Sequence, residues 1–316
     1  MNNYFGLNDR SHQIEQIPLS SECRLWSNTG MKQVVLATVI ALLTASVSYA
    51  ETYQVELEGG YTSIESDFDD IDLEPDGDGW ELGATYYFSP VNTDKGPLAE
   101  AAFLDRASEV SIGYSDSEVD LLGGKLETDA YLFGGRFVDI SSGWTFSANY
   151  TAVEDDILVQ QGQNLFALDT EIDIWALSVG KYIGEGTEVY LSYANRDVDL
   201  DVNEDSDTYS LGIKHVATLS GQMYYAVDAS VDFVDEGSDD GEVWNGAFTL
   251  YPLNHLGVGV SISYADFDVD NTETYSVFGR WFVTQQLALS LSYDMEEVED
   301  NNFETDIVSA GATLRF

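Results

Sequence analysis

The last nine residues, Val308-Ser-Ala-Gly-Ala-Thr-Leu-Arg-Phe316, decide how the chain is read. Counting back by twos gives Phe316, Leu314, Ala312, Ala310 and Val308, with Arg315, Thr313, Gly311 and Ser309 between them. One face is apolar and the other polar, which is the period-two signature of a strand. A strand ending a water-soluble chain has little use for an exposed terminal Phe. A strand that closes a barrel in a bilayer does, because its apolar face meets hydrocarbon.

The same alternation runs back through the chain. Tyr53, Val55, Leu57, Gly59 and Tyr61 share one face, and Trp80, Leu82, Ala84, Tyr86 and Phe88 share the next. Trp144, Phe146, Ala148 and Tyr150 repeat the pattern, as do Tyr225, Val227, Ala229, Val231 and Phe233, and then Leu287, Leu289, Leu291 and Tyr293. Fourteen such segments can be counted, with 12 or 16 as neighbouring counts. The fold class expected is all-β, a transmembrane antiparallel β-barrel, for which an even strand number is the rule. No apolar run after residue 50 is long enough for a membrane helix, and only a closed barrel otherwise satisfies every backbone group in lipid.

The connections between segments alternate in kind. Segments 65–78, 116–127, 154–169, 197–207, 235–242, 266–273 and 295–302 are acid-rich and read as loops. Ser141-Ser-Gly143, Gly184-Glu-Gly186, Ser220-Gly221, Pro252-Leu-Asn-His255 and Thr284-Gln285 read as short turns. Short turns face the periplasm in such barrels and longer loops face outside, which places both termini in the periplasm. Aromatic residues fall in two rows. One row (Tyr61, Trp80, Tyr114, Tyr150, Trp175, Trp244 and others) lies toward the loops, and the second (Phe88, Phe137, Trp144, Tyr182, Tyr225, Tyr251, Trp281, Phe316) lies toward the turns. Rings that are apolar with a polar edge favour the headgroup level, so the rows read as two girdles.

With these features the sequence resembles the outer-membrane β-barrels of Gram-negative bacteria, porins above all. One connection departs from the rhythm. Ser89 to Ser108 is long, and within it Pro97-Leu-Ala-Glu-Ala-Ala-Phe-Leu-Asp-Arg106 predicts a short periplasmic helix with Pro in its first turn. The stretch Lys95-Gly-Pro-Leu-Ala-Glu-Ala-Ala-Phe-Leu104 resembles one in porin-like proteins of these bacteria, and a plug at the barrel rim is its expected role. The resemblance implies fold and compartment rather than a substrate. It also implies that Phe316 is the signal read by the barrel assembly machinery, and that outer-membrane lipid and lipopolysaccharide surround the chain.

At the other end, Met31-Lys32 precedes the apolar run Val34–Leu43, and Ser48-Tyr49-Ala50 puts small residues before Glu51. That is the order of a secretory signal peptide, over residues 31–50. Residues 1–30 are polar and aperiodic and read as an extension ahead of the true start, so the barrel is expected over 51–316. Cys23, the only cysteine, lies in the extension, which leaves no disulfide framework in the barrel.

The chain carries 12 basic and 57 acidic residues, a net charge of −45. Three of each sign lie within residues 1–50 (Arg10, Arg24, Lys32; Asp9, Glu15, Glu22), so the barrel carries the whole imbalance. This excludes nucleic acid as a partner, since phosphate needs a basic surface. Catalysis is not expected either: His12 precedes the barrel, His255 is in a turn and His215 points outward near the turns. An EF-hand counted from Asp72 has Gly77 at six but Gly83, not Glu, at twelve. No cofactor is therefore expected beyond loose Ca or Mg binding by the acidic loops.

By parity the inward face includes Glu56, Glu58, Glu81, Arg136, Asn149, Lys214, Asp228, Asp232, Arg280 and Arg315, among many Ser and Gly. Charges cost little in a water-filled lumen, whereas Arg or Lys facing mid-bilayer lipid costs about 2–4 kcal/mol. The expectation is a diffusion porin for small hydrophilic solutes, cation-preferring through its acids, monomeric or trimeric. The alternative is a non-conducting structural or adhesive barrel whose acidic loops bind divalent ions.

Overall fold

Alternating residues make strands here because each branched or aromatic side chain packs on a pleated surface while its neighbours turn to the other face. The computed structural model describes residues 52–68, 75–121, 124–161, 164–199, 205–235, 240–267, 271–298 and 303–316. The readings of residues 1–30, residues 31–50 and Cys23 lie outside the described residues.

Fourteen strands form: β1 (Thr52–Phe68), β2 (Asp76–Asn92), β3 (Glu109–Leu121), β4 (Gly124–Asp139) and β5 (Trp144–Gln161). They continue as β6 (Asn164–Tyr182), β7 (Thr187–Asp199), β8 (Ser206–Ser220), β9 (Met223–Asp235) and β10 (Asp240–Leu253). The last four are β11 (Leu256–Phe267), β12 (Asn271–Phe282), β13 (Leu287–Val298) and β14 (Phe303–Arg315). Each pairs antiparallel with its sequence neighbours, and β1 pairs with β14, so the barrel is closed. The closing strand lies where its alternation put it, with Leu57 opposite Leu314 and Tyr61 opposite Ala310. The Phe316 carbonyl accepts from both Gln54 and Val55, and its N–H returns a bond to Val55. Among the described residues no helix is long and apolar enough to cross a membrane; the strands do the crossing.

The apolar face is the outer one. Ile112, Phe133, Phe146, Leu177, Leu191, Leu211, Val260, Val277 and Leu291 are all highly exposed on the outside of the wall. The buried apolar clusters lie inside one mouth of the barrel, three small groups around a short helical segment.

The structure corrects three readings of local geometry. Tyr53 was placed on the lipid face, but a register shift between Tyr53 and Val55 turns it inward, where it is 4% exposed. Tyr182 and Tyr251 fall by sequence in the girdle row toward the turns, yet both are buried in the lumen. The acid-rich connections are largely strand. β5 and β6 pair as far as Gln161 opposite Asn164, and β3 and β4 as far as Leu121 opposite Gly124. β5 has 18 residues and β6 has 19, well beyond the ~9–11 that a tilted strand needs to cross a bilayer. Acids on both faces hid this extension, because alternation there is polar against polar.

Candidate functional site

The site is the lumen, and its floor is the segment between β2 and β3. After Asn92 the chain turns into the barrel, with the Asp105 carboxylate accepting from the Asn92 N–H at 2.9 Å and pairing with Lys95 at 2.5 Å. Pro97 leads into a 3-10 turn, Leu98–Glu100, followed by α1 (Ala101–Asp105). The helix stops at Arg106, whose φ of 54° is the left-handed conformation that ends a helix. The Leu98 N–H donates to the Asn254 carbonyl in the β10–β11 turn at 2.8 Å. Strand order puts that turn on the opposite side of the barrel from β2. The segment therefore crosses the lumen. Phe103 packs on Val138, Tyr182, Val216, Ala226 and Tyr251; Ala101 on Tyr53, Tyr87 and Val91; Leu98 on Phe282 and Ala288. These partners come from nine different strands, so the plug is held all round.

Charged residues at this level pair with one another and with the plug. Arg315, 3% exposed, bonds the Glu56 carboxylate through Nε, donates to the Leu98 carbonyl at 2.8 Å, and stacks on Tyr53 and Phe282 at 4.4 and 4.6 Å. Glu100 accepts from the Tyr251 hydroxyl at 2.7 Å and pairs with Lys214 at 3.1 Å. Arg136 pairs with Glu188 at 2.5 Å and donates to the Tyr182 hydroxyl, which in turn donates to the Phe103 carbonyl at 2.9 Å. A charge taken from water needs a fixed partner, and each of these has one. Glu100, Glu188, Tyr182 and Tyr251 were not among the lining residues picked out from the sequence. Glu188 and Tyr182 could have been found by carrying the strand parity to the strand ends; the docking of Glu100 had no sequence signal.

Above the plug the lumen opens into a cavity of about 430 Å³, lined by Glu81, Glu100, Lys214, Thr249, Tyr251, Phe278, Arg280, Ser290 and several glycines. Of the other expected lining residues, Glu58 is exposed to the lumen and Asp228 stands opposite Lys214 on the neighbouring strand. Asp232 accepts from Asn245 at 2.9 Å, and Asn149 lies over Gly134. The structure thus divides the ten expected lining residues. Glu56, Arg136, Lys214 and Arg315 hold the plug level, and the others line or approach the water above it.

The outer end differs. Girdle tyrosines donate across strands to outward carboxylates: Tyr150 to Asp173 at 2.6 Å, Tyr193 to Asp207 at 2.7 Å, Tyr293 to Asp306 at 2.5 Å, and Tyr114 to Asp129. His215 meets Thr187 at 2.7 Å on the outside of the wall, away from the cavity. Among the described residues no three His, Cys, Asp or Glu side chains converge as a metal centre requires.

An apolar exterior, a polar lumen and full closure over fourteen strands define an outer-membrane β-barrel of the channel-forming class. Residues 31–316 match the family described as "Putative general bacterial porin", and the chain belongs to that family. The outer membrane protein Omp33 of Acinetobacter baumannii is similar in structure, with a TM-score of 0.54 at 20% identity over 84% of this chain and 99% of that one. The CymD monoaromatic hydrocarbon channel gives 0.52 at 12% identity, over 84% of this chain and 89% of that one. A TodX monoaromatic hydrocarbon channel mutant gives 0.53 at 12% identity, over 87% and 94%. At these identities the likeness is one of fold. No protein of curated function matches the chain. The protein is a porin of the outer membrane, a diffusion channel by class.

Proposed function

We propose that the protein is a narrow, cation-preferring diffusion channel for small hydrophilic solutes. The observation that carries this reading is the polar, small-residue cavity above the plug, opening toward a mouth walled by acids. Small lining residues leave room that a smaller barrel would fill with side chains. A single-sign field at a low-dielectric mouth raises the local concentration of counter-ions, here cations. The test is the reversal potential across a planar bilayer in a salt gradient. A cation-positive selectivity that weakens as salt rises is expected, since screening shortens the field to about 8 Å at physiological salt. Neutralising Glu58 and Glu81 reduces that selectivity further, because they face the lumen where salt screens less. Anion preference overturns the proposal.

A second reading has one observation on its side: the Asn92–Ser108 segment crosses the lumen and is held from nine strands. On that reading the barrel is a structural or adhesive surface protein, and its acids bind Ca or Mg loosely. Absence of conductance and of liposome swelling from fully folded protein favours it. For assembly, the exposed Phe316 at the β1–β14 seam is the expected recognition signal. Deleting it lowers the amount inserted in cells; normal surface levels of the deletion remove that role.

A further inference from the structure

Four cations stand on the inner face in the turn half of the barrel. Arg136, Lys214 and Arg315 each have a carboxylate within ion-pair distance. Arg280 makes no such ion pair among the described residues; Glu58 is an electrostatic neighbour. The strand register explains what Arg280 faces instead. Arg280 stands opposite Ser290, Ser290 opposite Gly311, Gly311 opposite Gly60, and Gly60 opposite Glu81. One row across five strands thus carries a cation at one end, an anion at the other, and Ser, Gly and Gly between. Four strand spacings of about 4.8 Å put the end Cα atoms about 19 Å apart along the wall.

The side chains shorten that gap without closing it. Glu81 lies over Gly60, where an added Cβ would come within 2.7 Å of its Oε1. Ser290 leans over Gly311, where an added Cβ would meet its Oγ at 2.8 Å. The small residues therefore form a shelf, and any larger side chain on it would displace a polar group. The row borders the cavity of about 430 Å³, whose floor is Ala99 and Glu100 of the plug; small-molecule sites run from about 300 to 1,000 Å³. Had the two charges served only to tie strands together, a closed pair like Arg315–Glu56 on the same wall would have done so. Here both are held apart, with the carboxylate exposed and the guanidinium half-buried.

We propose that this shelf is a subsite for a small zwitterion, a short amino acid whose carboxylate sits on Arg280 and whose ammonium sits at Glu81. The inference rests on the channel reading and names the solute class for it. A guanidinium presents a planar fork matched to a carboxylate, and Glu81 presents acceptors matched to an ammonium. A singly charged solute of the same size finds one partner and a repelling charge at the other end. A bulky one meets the plug.

The test uses three near-isosteric probes on the folded barrel in detergent: β-alanine, propionate and propylamine, followed by calorimetry. β-Alanine is expected to bind at least tenfold more tightly than either of the others. Arg280→Gln and Glu81→Gln should each weaken it tenfold or more, with folding checked by the slower migration of heated barrel on gels. The double reversal Arg280→Glu with Glu81→Arg should restore zwitterion binding, since the field is inverted but still bipolar. Equal binding of the three probes, or β-alanine binding unchanged in both single variants, overturns the proposal. Liposome swelling separates it from the channel reading. Binding that responds to the variants without any solute flux leaves the subsite standing and removes the channel. Equal flux of all three probes with no binding leaves the channel and removes the subsite.

Discussion

The two mouths of this barrel use charge in opposite ways. At the turn end each buried charge faces its opposite: Arg315 and Glu56, Lys214 and Glu100, Arg136 and Glu188. At the loop end acid faces acid. Asp116 stands opposite Asp129, Glu118 opposite Glu127, Glu154 opposite Glu171, Asp156 opposite Asp169, and Glu273 opposite Glu297. Lys125 bridges Glu118 and Glu127 as a single cation in the middle of such a pair. Like charges directly across a sheet are destabilising. The contrast teaches where each kind of charge can be tolerated. Inside the mouth, water is scarce and an unmatched charge would be costly, so the residues there fix a shape. Beyond the membrane, water and salt screen the repulsion, and the acids are free to make a field.

The comparison breaks most visibly at Arg315. Replacing it with Met leaves the Glu56 carboxylate buried without a partner, frees the Leu98 carbonyl and empties the space between Tyr53 and Phe282. Breaking a buried pair in this way costs about 3–5 kcal/mol. Urea unfolding in micelles should show that loss. The matching change at the other mouth, Glu154→Gln, should move stability by no more than about 0.5 kcal/mol, and in the stabilising direction if at all. Equal losses from both substitutions would mean that the two mouths are not built differently.

A smaller effect sharpens the plug's side of the contrast. Tyr251→Phe keeps the ring that packs on Phe103 but removes the hydroxyl that donates to Glu100. A buried acceptor left short of a donor costs about 1–3 kcal/mol. The expected outcome is a barrel that still folds, with a plug held less firmly. Single-channel records should show more frequent opening than the parent protein. Unchanged conductance with lowered stability would mean that the passage does not run past Glu100.

How much of this was readable in the sequence follows the same divide. The apolar face of β14, and of most strands, could be read by counting in twos, because lipid outside and water inside enforce strict alternation. The same count put Arg280, Glu81 and Lys214 on the inner wall. It failed at Tyr53, where a break in register between Tyr53 and Val55 reverses the facing of the strand start. It failed differently at Tyr182 and Tyr251. Their positions at strand ends suggested a girdle, while their parity already pointed inward, toward a plug whose docking could not be foreseen. The acid-rich stretches were read as loops because strands beyond the membrane have no apolar face to reveal them. The pairing of Glu56 with Arg315, 259 residues apart, depends on barrel closure, and no local pattern shows which inward charge meets which.

The smallest effect expected lies in those outer extensions and depends on pH. Asp197 faces Asp205, and their mutual repulsion, with some desolvation, raises the Asp197 carboxyl above its ordinary range. Asp156 is raised by partial desolvation and by Asp169 across the ladder. Both groups are fully exposed, so salt weakens the effect and no large stability term follows. The direction is nonetheless fixed. A carboxyl raised in the folded state binds its proton more tightly folded than unfolded, so stability rises as pH falls through the raised values. The gain is complete below the ordinary value near 4. Amide exchange of the outer parts of β5, β6 and β7 should therefore slow on moving from neutral pH to about 4, after correction for the intrinsic rate. Unchanged exchange there would show that the facing acids are already neutralised by bound counter-ions, and added chelator at low salt would then expose the difference.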